Sequence, residues 1–117
     1  MVKAAIVILA GTDGHENAGR LVNGLETARE FLEAGDDVEV IFDGAGTQWI
    51  ELLEDPDHDY HERYAAVQDD VGVCDFCVGA FDVDDAVDDA DVVRIDEFDG
   101  HPSLRSLVAE GYEILTF

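Results

Sequence analysis

The apolar run close to the amino terminus is the feature that most constrains the fold of this chain. Residues Ala4–Ala10 are continuously apolar, whereas a strand with one solvated face alternates apolar and polar residues. The run stops at the loop Gly11-Thr12-Asp13-Gly14, and its length is typical of a strand buried on both faces of a parallel sheet. The pattern therefore predicts an α/β fold with helices on both faces of the sheet.

Helical patterns and short apolar runs then alternate along the whole chain, which indicates repeated βαβ units. A long helix is predicted to stop at Gly35, and four further strands are predicted at Val38–Phe42, Val71–Val73, Val92–Ile95 and Tyr112–Phe117. The intervening helices are predicted to carry Trp49–Leu53, about Asp59–Gln68, Val83–Ala90 and a segment whose first turn contains Pro102. We predict a single domain over residues 1–117, with a five-stranded, mainly parallel sheet of flavodoxin-like size.

The charge of the chain is far from balanced, with 29 Asp and Glu against six Lys and Arg and a net charge of −23. The acidic residues are interleaved with hydrophobic ones, which excludes a disordered acidic tail. Asp82-Val83-Asp84-Asp85-Ala86 lacks the glycine pivot of an EF-hand calcium loop. In about 1 M salt the Debye length falls to roughly 3 Å, so repulsion between the surface carboxylates is largely screened. The composition therefore favours adaptation to molar salt. The absence of a basic patch argues against nucleic acid as a partner.

Membrane and secretion signals are absent from the sequence. No apolar stretch approaches the roughly 20 residues of a membrane span, and the first apolar run is not followed by a cleavage site. We therefore expect a cytoplasmic protein without membrane partners, whose two cysteines stay reduced. The glycine loops match no Walker or dinucleotide fingerprint, so no cofactor is predicted.

The two cysteines form a C-x-x-C motif, Cys74-Asp75-Phe76-Cys77, directly after the predicted strand Val71–Val73. Open α/β sheets carry their chemistry at the carboxyl ends of strands, and two thiols there can carry sulfur, pass electrons or hold a metal. We expect Cys74 to be reachable from solvent and moderately activated. A helix beginning near Cys77 favours the thiolate, while Asp75 and the negative surface oppose it.

Three other interpretations of the cysteines stay open. Both can be buried small hydrophobes. Zinc needs ligands beyond one C-x-x-C; four histidines are available, of which His58 and His61 form a weak pair one element before the cysteines, and the others are His15 and His101. Thioredoxin-like proteins place a proline opposite their active cysteines, at the start of a strand. The prolines of this chain, Pro56 and Pro102, stand in an acidic loop and at a helix start, which disfavours thioredoxin-like thiol redox chemistry.

Residues at the same predicted rim complete the list of candidates. The loops Gly11–Gly14 and Asp43–Thr47 are interpreted as tight turns that wall the thiol site. His101 is expected on this rim as a helix N-cap or as a proton partner for a thiol. Trp49 is assigned to the core or to an interface between subunits.

Taken together, the order and spacing of these segments resemble the DsrE/DsrF-like family of small sulfur-relay proteins, in a halophilic archaeal version. The resemblance covers nearly the whole chain and rests on Lys3–Ala10, Leu32–Gly35, Val38–Thr47, Val71–Cys74 with Cys77, and Gly111–Phe117. It implies a mainly parallel α/β fold and assembly into trimers or hexamers. By position it also implies that Cys74 carries sulfur as a persulfide, with Cys77 as the second cysteine; Asp75 and Phe76 depart from the small neutral residues that many members have there.

The leading hypothesis is therefore a cytoplasmic sulfurtransferase-type carrier that works between sulfur donor and acceptor proteins. Cys74 attacks a donor persulfide, and Cys77 either assists release by forming a disulfide or tunes Cys74. A non-enzymatic oligomeric binding module and a zinc-binding or thiol redox protein of the same fold remain alternatives. We expect a homo-oligomer that buries the aromatic residues Trp49, Tyr60 and Tyr64 between subunits.

Overall fold

The protein's structure is a computed structural model that describes residues 1–117. Its centre is one sheet of five strands, all parallel, in the spatial order β4-β3-β2-β1-β5. The strands are β1 (Lys3–Ile8), β2 (Asp37–Phe42), β3 (Val71–Cys74), β4 (Val93–Ile95) and β5 (Glu113–Thr116). The predicted five-stranded α/β fold is confirmed, and the sheet is entirely rather than mainly parallel.

Six α-helices connect the strands: α1 (Gly14–Glu33), α2 (Trp49–Leu53), α3 (His61–Ala65), α4 (Asp75–Ala80), α5 (Asp84–Ala90) and α6 (Leu104–Ala109). Single 3-10 turns at Gly44–Gln48 and Gln68–Asp70 precede α2 and β3. As predicted, α1 stops before Gly35, which adopts a left-handed φ of 84°.

Two helix starts differ from the predictions. Pro102 lies outside α6, because Ser103 is its N-cap and accepts a hydrogen bond from Ser106 N at 3.2 Å. The helix expected over about 59–68 is shorter, since the preceding acidic segment forms turns. In those turns the Asp55 carboxylate accepts a hydrogen bond from the backbone N–H of Asp57 at 2.9 Å, and such local bonds compete with a helix.

Helices cover the two faces of the sheet unequally. Strands β1 to β4 follow one another in one direction across the sheet, so their right-handed connections place α1–α5 on the same face. The main core lies there, and its strand contribution is Ala4, Ile6, Ile8, Val38, Val40, Phe42, Val71 and Val73. The return from β4 to β5 places α6 alone on the opposite face, where Leu107 packs on Ala5, Val7 and Ile41.

The aromatic residues between β2 and β3 belong to the main core. Trp49 is 3% exposed and donates from its indole Nε1 to the carbonyl of Ala10 at 2.9 Å. Tyr64 is fully buried, edge-on to Phe42, and Tyr60 packs against Trp49. The core assignment of Trp49 is confirmed. The expectation that these aromatic residues are buried between subunits is wrong, because the chain buries Trp49 and Tyr64 in its own core.

The face that carries α6 leaves an open groove of about 540 Å³ over β2, β3 and β4. Its apolar floor includes Ile41, Gly72, Val93 and Ile95, and Val93 is 66% exposed. Glu39 stands half-buried in this groove. Burial raises the pKa of Glu39, and the nearby carboxylates of Glu97, Glu110 and Asp70 raise it further.

We predict that Glu39→Gln stabilises the protein at neutral pH. The folded-state pKa of Glu39 lies above its ordinary value of 4.5, so its contribution to stability is fully present below that value and is lost as pH rises through the folded pKa. Thermal unfolding followed by circular dichroism should give a midpoint higher by roughly a few degrees at pH 7. The gain should vanish near pH 4 and shrink in molar salt, because salt screens the neighbouring carboxylates.

Glu30→Gln is the matched control, since Glu30 is exposed on α1 and its replacement changes the net charge equally. An equal gain in both variants would show that the protein's total charge, and not the setting of Glu39, is responsible.

Candidate functional site

Three chain segments that follow neighbouring strands meet at one rim of the sheet. Asp43 follows β2, Cys74 ends β3, and His101 lies on the loop after β4. The Cys74 Sγ lies 3.4 Å from the His101 Nδ1, and the Cys77 thiol donates to the Asp43 Oδ1 at 3.4 Å. The ligand atoms of Cys74, Cys77 and His101 all lie within 4.8 Å of one another. We call Asp43, Cys74, Cys77 and His101 the thiol cluster.

Helix α4 sets the positions of the two thiols. It begins directly after β3, with Cys74 as its N-cap and Cys77 in its first turn, so that residues three apart lie on the same side. The Asp75 side chain is held elsewhere by Arg94, at 3.2 Å. Arg94 also pairs with Asp84 and Asp88 on α5, at 3.6 and 2.8 Å. The helix predicted near Cys77 therefore exists, and it starts two residues earlier.

The loop after β2 brings the carboxylate of Asp43 to the cluster. The backbone N–H of Gly44 donates to the Asp43 Oδ1 at 2.8 Å and fixes its orientation. Gly46 lies so close to the carbonyl of Ile8 that a Cβ at this position would overlap it, which requires glycine here. The predicted role of this loop as a wall of the site is supported. The other glycine loop packs against Ala45 through Gly11. The hydrogen-bonding contacts of the thiols are with Gly100, His101 and Asp43, not with this loop.

A two-residue turn packs against Cys74 and carries His101. Phe98 and His101 exchange two backbone hydrogen bonds of 2.8 Å, and Asp99 and Gly100 between them have φ of 53° and 85°. These features are typical of a type I′ hairpin turn. The Gly100 carbonyl accepts from the N–H of Phe76 at 2.9 Å and lies 3.9 Å from the Cys74 Sγ. We call residues 98–101 the Asp-Gly turn.

The position of His101 decides between its two predicted roles. Ser103, not His101, caps α6, so the N-cap interpretation is wrong. The imidazole is half-buried between the Phe76 ring, at a centroid distance of 4.7 Å, and the Cys74 sulfur. It is therefore placed as a proton partner for a thiol.

The two thiols differ in their exposure. Cys74 is 0% exposed and Cys77 is 8% exposed, so the expectation that solvent reaches Cys74 is wrong for this conformation. Burial raises the pKa of the Cys74 thiol to about 12; the Cys77 backbone lowers this pKa, while the Cys77 side chain and the Asp43 charge raise it. Cys74 is therefore not the moderately activated thiol that the sequence predicts. The carboxylate acting on it is Asp43 and not Asp75, which pairs with Arg94.

The histidine pair considered from the sequence lies apart from the thiols. The His58 Nδ1 accepts from the N–H of Tyr60 at 3.1 Å, and the His61 Nδ1 is 2.6 Å from the carbonyl of Leu53. Neither residue is in the group of close metal-ligating atoms. Sequence reasoning missed Asp43 as a cluster member, although its place after a strand and before Gly44 was a usable signal. The dipeptide Asp99-Gly100 signalled the turn.

Comparison with known proteins identifies the class to which this fold and site belong. Residues 3–117 match the model of the DsrE/DsrF-like family. The chain belongs to this family.

A protein of similar sequence and a protein of similar structure are known. An uncharacterised protein of Methanocaldococcus jannaschii is 32% identical over 88 residues, which cover 75% of this chain and 72% of the relative. The solved structure of a conserved protein of unknown function from Bacteroides thetaiotaomicron shares the fold, with a TM-score of 0.62 and 14% identity over 97% of this chain and 94% of the other. None of the helices in the present structure has the length and apolar character needed to cross a bilayer.

We predict that the folded protein is alkylated on Cys77 before Cys74. Cys77 is the more exposed thiol, and the raised pKa of Cys74 leaves little thiolate at neutral pH. Treatment with iodoacetamide at pH 7, followed by peptide fragmentation in a mass spectrometer, should show Cys74 reacting at least about tenfold more slowly. In denaturant the two rates should converge. Equal rates in the folded protein would contradict the burial of Cys74.

Proposed function

We propose that this protein is an intracellular sulfur-relay protein that stores sulfur as a persulfide on Cys74, with Cys77 as the assisting thiol. Membership of the DsrE/DsrF-like family suggests sulfur relay. The observation that carries the proposal is the proximity of two free thiols at the carboxyl rim of the sheet, with their sulfur atoms within 4.8 Å. This separation suits repeated thiol exchange within one site.

The difference in exposure supports an order of transfer between the two thiols. Cys77, as thiolate, attacks the terminal sulfur of a donor persulfide, so that the donor leaves as a thiolate and Cys77 becomes the persulfide. Cys74 then attacks the same terminal sulfur, which forms the Cys74 persulfide and returns Cys77 to a thiolate. Two transfers therefore move one sulfur atom inward with no net oxidation.

The stored sulfur leaves the protein by one of two routes. An acceptor thiolate takes the terminal sulfur after it has moved back to Cys77. Alternatively, Cys77 attacks the inner sulfur of the Cys74 persulfide, which forms the Cys74–Cys77 disulfide and expels hydrosulfide. The second route leaves an oxidised pair, and a dithiol reductant must regenerate it.

Two polar neighbours handle the protons of these exchanges. The Asp43 carboxylate accepts the hydrogen bond of the Cys77 thiol and is placed to take its proton when Cys77 attacks. The His101 Nδ1 is 3.4 Å from the Cys74 Sγ and serves the same purpose for Cys74. The buried position of Cys74 excludes water from the stored sulfur, which favours storage over hydrolysis and side reactions.

We further propose a homo-oligomer, a trimer or a hexamer, that meets its sulfur donor and acceptor proteins in the cytoplasm at high salt concentration. The groove over β2–β4 is the surface that supports assembly, because its apolar floor and the 66% exposed Val93 remain uncovered in the single chain. The net charge of −23 supports a molar-salt habitat, where surface repulsion is screened.

Persulfide loading is tested by incubating reduced protein with a persulfide donor and measuring the intact mass. We predict that the wild type gains the mass of one sulfur atom. Cys74→Ser should load on Cys77 and lose the sulfur quickly to added thiol, since nothing stores it. Cys77→Ser should load far more slowly, because the donor must reach a covered thiol.

The two serine variants are each other's matched control, because they remove one thiol each from the same helix. Equal loading rates in Cys77→Ser and the wild type would overturn the order of transfer. A wild-type protein that gains no sulfur would overturn the proposed function.

Assembly is tested by light scattering in molar potassium chloride. We predict a particle of three or six chains for the wild type. Val93→Glu should shift it toward a monomer, because a charge is then buried on the apolar face. Val108→Glu is the control, since Val108 is 60% exposed on α6. A wild-type monomer at all concentrations would contradict the assembly.

A further inference from the structure

We propose that the thiol cluster is a zinc site, with Cys74, Cys77 and His101 as the three protein ligands and with the carboxylate of Asp43, which accepts from the Cys77 thiol, beside the fourth position. The proposal rests on the geometry of the cluster and stands whether or not the pair carries sulfur. Of the histidines available for zinc in the sequence, the structure brings His101 to the cysteines, whereas His58 and His61 lie elsewhere.

Two distances in the cluster match those of a tetrahedral zinc site. With Zn–S near 2.3 Å and Zn–N near 2.05 Å, a tetrahedron places sulfur and nitrogen about 3.6 Å apart, and sulfur and oxygen about 3.5 Å apart. The Cys74 Sγ and His101 Nδ1 are separated by 3.4 Å, as are the Cys77 Sγ and Asp43 Oδ1. The two sulfur atoms and the nitrogen share one space, within 4.8 Å of one another.

The donor set selects a borderline-soft cation over a hard one. Two thiolates and an imidazole suit Zn²⁺, whereas Mg²⁺ and Ca²⁺ prefer oxygen ligands. Two thiolates and the Asp43 carboxylate carry three negative charges, which one Zn²⁺ reduces to one. Binding displaces both thiol protons to solvent and involves no change of oxidation state.

The surroundings of the ligands hold them in place. The Gly44 N–H fixes the Asp43 carboxylate, and the Asp-Gly turn sets His101 on the backbone of α4 through the bond from Phe76 N to Gly100 O. Such supporting contacts are typical of metal centres, where they orient the ligands. Both thiols are buried, at 0% and 8% exposure, so the metal would be held away from bulk solvent.

Zinc and a persulfide cannot occupy Cys74 together in this arrangement, because each uses the same sulfur atom. Zinc binding would therefore hold the sulfur relay inactive, and removal of zinc would release it. This consequence connects the two proposals without making either depend on the other.

The test is a titration of reduced, chelator-treated full-length protein with Zn²⁺ against a chromophoric chelator, in excess Mg²⁺ so that the acidic surface is already occupied. We expect one zinc per chain. Co²⁺ in place of Zn²⁺ should give sulfur-to-cobalt charge-transfer absorption and the intense visible bands of a tetrahedral centre. No binding above the Mg²⁺ background, or a cobalt spectrum without the charge-transfer band, overturns the proposal.

Variants assign the ligands. His101→Gln should lower the zinc affinity by at least about 100-fold, and Asp43→Asn should lower it less, while His58→Gln, the matched control, should leave it unchanged. Equal affinities in His101→Gln and the control overturn the assignment of His101. Each variant's thermal unfolding is measured without metal, so that a folding defect is recognised.

Persulfide loading of the wild type with and without zinc separates this proposal from the sulfur relay. Metal-free wild type should gain sulfur from a persulfide donor, whereas zinc-loaded wild type should resist loading until a chelator is added. Zinc binding without any persulfide loading would overturn the relay alone. Loading that zinc does not slow would overturn the shared use of Cys74.

Discussion

The parallel alignment of β2, β3 and β4 is the constraint on which the site depends. Because these strands run in the same direction, the residues that follow them emerge at one rim, and Asp43, Cys74 and His101 come together from positions far apart in the chain. An antiparallel neighbour would have sent one of them to the opposite end of the sheet. The same connectivity leaves β2–β4 uncovered on one face, so the fold that builds the thiol cluster also exposes the groove.

Electrostatics in this protein are organised locally despite the large net charge. Arg94 meets three carboxylates, from Asp75, Asp84 and Asp88, and in doing so links β4 to the two helices that follow β3. It also removes Asp75 from the neighbourhood of the thiols, so that Asp43 is the carboxylate that matters there. The average charge of the surface therefore says little about the chemistry of the rim.

Much of the fold could be predicted from the sequence, because the apolar runs and helix stops report burial directly. The run Ala4–Ala10 predicted the interior strand β1, and Gly35 marked the end of α1. The burial of Cys74 could not be predicted, since neighbours such as Gly100 and His101 reach it only through the tertiary fold. The burial of Trp49 and Tyr64 within the chain could not be predicted for a similar reason. Their partners, Ala10 and Phe42, lie far from them in the sequence.

The Asp-Gly turn has a consequence for which residues the site tolerates away from the thiols. Asp99 and Gly100 adopt left-handed φ angles of 53° and 85°, a conformation that β-branched side chains strongly disfavour. A Val or Ile at either position would strain the segment that carries His101, whose Nδ1 lies 3.4 Å from the Cys74 Sγ. Two residues that carry no thiol therefore decide where the imidazole stands.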